Sequence, residues 1–139
     1  MGSRSHLLDL MRRREALGAR KAAAGLGALA AEQARHSDLA DRLTQVIAQT
    51  LPGPGPQHPA RLRAAMTLAG QLQTQREIAT NRAEFLATEL EGVRARLGQH
   101  QRREALIADR ADLARRTEAE AAEARSEASL PPRRGAPRA

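Results

Sequence analysis

Two proline-free runs, residues 5–50 and 60–128, meet at Leu51-Pro52-Gly53-Pro54-Gly55-Pro56-Gln57-His58-Pro59, where four prolines and two glycines interrupt the chain. Proline removes a backbone donor and clashes with the preceding helical turn, so no helix crosses this segment. A bend over residues 51–59 between two long elements is the expectation. What fills the runs decides the element type: 30 Ala and 18 Leu, against 3 Ile, 2 Val, 1 Phe and no Tyr or Trp. Strands draw on β-branched and aromatic residues, whereas Ala, Leu, Glu, Arg and Gln lose least on entering a helix. The chain is therefore expected to be all-α, with helices over residues 5–50 and 60–128. A second cluster, Pro131-Pro132-Arg133-Arg134-Gly135-Ala136-Pro137, predicts a disordered Pro/Arg tail over residues 129–139.

Helices this long need a partner along their length, and apolar residues recurring every three or four positions supply the seam. In the second run the inward register reads Leu62, Ala65, Ala69, Leu72, Arg76, Ala79, Ala83, Leu86, Leu90, Val93, Leu97, His100, Glu104, Ile107, Ala111, Ala114. In the first it reads Leu8, Met11, Glu15, Gly18, Ala22, Gly25, Leu29, Glu32, His36, Leu39, Leu43, Val46, Thr50. Two such helices joined by a short bend fold back as an antiparallel coiled-coil hairpin. With the turn at Gly55, Met11 faces the neighbourhood of His100, and Leu39 that of Leu72. The second helix is the longer one. It is expected to overhang from about Ile107, for roughly 30 Å at about 1.5 Å per residue. Within the overhang, Asp112 and Arg116 are spaced as a four-residue ion pair.

Several function classes are disfavoured at this stage. The absence of Cys removes thiolate catalysis, disulfides and Cys-ligated zinc. His6, His36, His58 and His100 are too dispersed to converge on a metal, and no glycine-rich phosphate loop follows a strand. The reading is a non-enzyme without cofactor or metal. Residues 22–31 form the longest apolar stretch, about half of the roughly 20 residues a membrane helix needs, so a cytoplasmic protein without membrane insertion is expected. A sequence pI near 11.5 raises nucleic-acid binding, but Phe85 is the one aromatic and no reading module is recognisable.

The net charge of +7 is concentrated toward the termini. Arg12, Arg13, Arg14, Arg20 and Lys21 open the first helix, and the hairpin is expected to bring them toward Arg102, Arg103 and Arg110. A basic pole of this kind speeds encounter with an acidic surface and is screened by salt. Leu106, Ile107 and Leu113 are the apolar contact candidates beside it.

The opening Leu7-Leu8-Asp9-Leu10-Met11-Arg12-Arg13-Arg14-Glu15, the mid-chain bend and the longer second helix closing in Arg/Glu/Ala-rich sequence together resemble the FliJ family. Those proteins are coiled-coil stalks of the flagellar type III export apparatus. The resemblance spans about residues 4–128 and implies a mechanical role. The partners it implies are the hexameric export ATPase and the export gate protein at the inner membrane, with export chaperones as further partners. The basic pole and overhang are then the candidates for the ATPase. The loop-proximal flank, Leu39, Leu43, Leu68 and Leu72, is the candidate for the gate. A generic coiled-coil scaffold or chaperone-escort protein is the second reading, and nucleic-acid binding the third.

Overall fold

The structure, a computed structural model, describes residues 2–132 and Gly135. The expected Pro/Arg tail therefore falls largely outside the described residues. Helix α1 runs over Arg4–Thr50 and helix α2 over Pro59–Ser129, 47 residues against 71, with no strand among the described residues. The two helices pack against each other as a two-helix hairpin.

Local chemistry sets the helix ends. Ser3 caps α1, its hydroxyl accepting the His6 backbone N–H at 3.2 Å. At the other end Pro52 stops the helix soon after Thr50. Pro59 opens α2 at the position where its missing N–H costs nothing, and the His58 ring Nδ1 accepts the Ala60 N–H at 3.2 Å. Between them Gly55 adopts φ +125°, a conformation open to glycine and strained for any other residue.

The contacts divide the chain into two compact units. The first combines Met1–Gly18 with Gln99–Ala139; the second is Ala19–Gly98 and contains the bend. In the second unit Ala69, Ala79, Ala83, Leu86 and Leu90 are buried, and in the first Ala111 and Ala114 are. All of these lie on the inward register expected for α2. Its half-buried members, Ala65, Leu72, Arg76, Val93, Leu97, His100, Glu104 and Ile107, follow the same spacing.

In α1 the expected register is right in part. Leu8, Glu15, Gly18, Ala22, Leu29, Glu32, His36, Leu43 and Thr50 are at least partly covered, as expected. The alternate set is displaced by one residue: Ala19, Leu26, Gln33, Ala40 and Ile47 turn inward, while Met11, Gly25, Leu39 and Val46 are exposed. The reason is volume. At two layers the shift brings Leu26 in for Gly25 and Ile47 for Val46, while at another Ala40 comes in for Leu39, so large side chains enter the seam where glycine would have left it empty. Glu32, expected inward, is half-buried and pairs with Arg82 at 3.5 Å.

The alignment of the helices also differs from the expectation. Ser5 meets Glu118, Asp9 meets Arg115 and Gly18 lies against His100, so Met11 does not face His100. The overhang consequently does not start at Ile107. Ala111 is fully buried and Ala114 nearly so, and the unpartnered stretch begins only after Glu118. In the second unit the start of α2 is the uncovered part: Leu62, Met66 and Leu68 are exposed, and Ala69 is the first buried residue. The ion pair expected between Asp112 and Arg116 is instead made by Asp112 and Arg115.

Leu86 is 2% exposed and the largest side chain fully enclosed among the described residues. Leu86→Ala is expected to cost about 2–3 kcal/mol in urea unfolding, at the lower end of core Leu→Ala changes. Leu62→Ala, at the uncovered start of α2, stays within about 0.5 kcal/mol. Glycine scanning gives a second contrast. A Cβ at Gly25 meets nothing within 4 Å, so Gly25→Ala raises stability by up to about 1 kcal/mol through helix propensity alone. At Gly18 the same Cβ falls 2.7 Å from the His100 ring, so Gly18→Ala forfeits that gain by displacing His100.

Candidate functional site

The first unit is held in alignment by polar pairs between its helices. Nearest the start of α1, the Ser5 backbone N–H donates to Glu118 Oε1 at 3.0 Å and the Ser5 hydroxyl donates to Oε2 at 2.6 Å. The first turn of α1 contains no acidic residue of its own. Glu118 of α2 therefore supplies from across the seam both the acceptor for an orphan helix N–H and the negative charge that the N-terminal dipole favours. One turn on, Arg115 Nη1 donates to both oxygens of Asp9, at 2.9 and 3.0 Å, and Nη2 to Asp112. Further along, Arg12 and Glu104 approach at 3.9 Å, and the His100 Nδ1–H donates to Glu15 Oε2 at 2.7 Å.

These pairs occupy the seam and one flank, which leaves the other positive charges outward. Arg13, Arg14, Arg102, Arg103 and Arg110 of the first unit are exposed, as are Leu106 and Leu113, the latter at 65%. Six of the expected contact residues, Arg13, Arg14, Arg102, Arg103, Leu106 and Arg110, thus share this unit with Leu113 and lie on its surface. Arg12 also belongs to it but is engaged by Glu104, and Ile107 is half-buried in the seam rather than presented to a partner. Arg20 and Lys21 are exposed in the second unit and are not part of this cluster. The loop-proximal set also divides: Leu39 and Leu68 are exposed, whereas Leu43 and Leu72 are seam residues.

Sequence reasoning missed a groove in the first unit. It has a volume of about 200 Å³ and is lined by Arg4, Arg110, Leu113, Ala114, Thr117 and Glu118, with a mainly apolar wall. The signal was present in the spacing, since Arg103, Leu106, Arg110, Leu113 and Thr117 alternate by three and four residues just outside the seam. The second unit has a shallower depression between Gln33, Ser37, Ala40 and Asp41 of α1 and Thr80, Ala83, Glu84 and Ala87 of α2. Among the described residues no cluster of three His, Asp or Glu side chains could hold a metal ion, and no helix is long and apolar enough to cross a membrane. No protein-family model, characterised protein or solved structure matches the chain.

The Ser5 hydroxyl, and after it the Ser5 N–H, hold the Glu118 carboxyl below the ordinary glutamate value. A depressed carboxylate pKa contributes stability that is present above the unfolded-state value and is lost as pH falls through the folded one. The Ser5 amide proton resonance is accordingly expected to shift on acidification below about pH 4.5, the ordinary glutamate range. In Glu118→Gln that titration step disappears, and the first turn of α1 frays at neutral pH.

Proposed function

We propose that this chain is a non-enzymatic coiled-coil stalk of the FliJ type that binds the hexameric ATPase of a flagellar protein-export apparatus and couples it to the export gate at the inner membrane. The observation that carries the reading is the surface of the first unit, where both helices expose arginines, α2 exposes Leu106 and Leu113, and Arg4 of α1 and Arg110 of α2 line one groove with Leu113. Charged rims accelerate encounter and set register, while a few apolar anchors at the centre supply most of the binding energy. A stalk needs this division of labour: a seam that keeps the helices stiff and a separate face that grips the surrounding ring. The resemblance of the opening Leu- and Arg-rich segment to the family supports the same assignment.

The gate contact belongs to the second unit under this reading, with Leu39 and Leu68 as its exposed apolar residues and Leu43 and Leu72 supporting them from the seam. Export chaperones are further partners of the same assembly. The chain's own role is positional, and its residues perform no bond-making step.

Purified chain titrated against the export ATPase tests the reading. Arg13→Glu combined with Arg14→Glu avoids the seam pair of Arg12 and is expected to weaken binding about tenfold or more, mainly through the association rate and with reduced salt dependence. Leu106→Ala with Leu113→Ala weakens it through faster dissociation. Unchanged ATPase binding in both variants overturns the proposal. So does co-purification, from nuclease-treated cells, that yields no export component.

A further inference from the structure

The α2 segment beyond Glu118 is helical and wholly exposed through Ser129, with no part of α1 beside it. Along one outward stripe its charge is opposite to that of the turns preceding it. Arg103 and Arg110 lie on the outward face before Thr117, and Glu120 and Glu127 continue the same face after it. The full set on this face, residues 103, 106, 110, 113, 117, 120, 124 and 127, keeps the alternating three- and four-residue spacing of a coiled-coil seam. All eight are exposed.

This face is complementary to itself read backwards. If two copies of α2 run antiparallel with a two-fold axis level with Arg115, Arg110 of each meets Glu120 of the other and Arg103 meets Glu127. In the same arrangement Leu106 meets Ala124 and Leu113 meets Thr117. Every layer sets a large side chain against a small one or a positive charge against a negative one, and each contact occurs twice, as an isologous interface requires. The groove bounded by Arg4, Arg110 and Leu113 lies on this flank and gives the incoming helix an apolar floor.

We propose that this face is a homodimer interface, in which residues 117–127 of a second copy of the chain pack antiparallel against residues 103–113. The occupant is a second copy rather than an unrelated acidic helix because the acidic segment required is present on the same face, in the register that pairs every arginine of the stripe with a glutamate. The inference goes beyond the export reading and rests on the charge and size pattern of this face; the dimer covers Arg103, Leu106, Arg110 and Leu113, so a ring protein gripping the same residues has to displace the second copy.

Sedimentation equilibrium of the full chain decides it. The unaltered protein is expected to approach twice 15.0 kDa with increasing concentration and to dissociate as salt is raised. Arg110→Glu alone and Glu120→Arg alone each set like charges together at both contacts and are expected to remain monomeric. Both positions are exposed, so circular dichroism should report unchanged helix content. An equimolar mixture of the two variants should regain the dimer mass, because opposite charges again face each other at both contacts. Unaltered protein that stays at 15.0 kDa at every concentration overturns the proposal, as does a dimer that persists in either variant. A monomer that captures an added acidic amphipathic peptide through Arg110 overturns it too, by assigning the face to a different protein.

Discussion

Alanine holds five of the seven buried apolar positions among the described residues. A methyl side chain contributes little transfer energy, so a seam built this way gains stability mainly through its length and the close approach of the two backbones. This explains why both helices run far beyond the ordinary length of about 11 or 12 residues. It also explains why Leu86 and Leu90, on successive turns of the second unit, carry so much of the packing.

An alanine seam has a second consequence: it discriminates poorly between alignments, because one small layer fits another nearly as well. Polar pairs take over that task. Glu118 on Ser5, Arg115 on Asp9 and Glu15 on His100 in the first unit, and Arg82 on Glu32 in the second, each require a particular neighbour. Exposed or half-exposed ion pairs are individually weak. Their value here lies in specifying one alignment among several of similar burial, the use best established for polar groups in coiled coils. The Glu118 contact adds to this by completing the N-terminus of α1, a helix that has no acidic residue in its first turn.

The packing contacts thereby leave another side of the same helices exposed. The groups that hold the first unit together occupy the seam and the flank of Asp9 and Arg115, while Arg103, Leu106, Arg110 and Leu113 follow a separate exposed stripe of α2. That face is ordered by the seam without being part of it, so its charges can be altered with little loss of fold.

Much of this was legible in the sequence. The proline cluster fixed where the helices break, composition fixed that they are helices, and the spacing of α2 identified its inward residues from Ala65 to Ala114. Those features are local, set by backbone sterics, propensity and a period of 3.6, and they need no knowledge of the partner strand of chain. The phase of α1 was not determined in this way, because adjacent pairs such as Gly25-Leu26 and Val46-Ile47 offer two registers of similar pattern, and only packing against α2 selects between them. Helix alignment, the capping of α1 by Glu118, the engagement of Arg12 and the burial of Ala111 were likewise decided by tertiary structure. Each depends on which residues meet across the seam, a relation between positions about a hundred residues apart that no local pattern encodes.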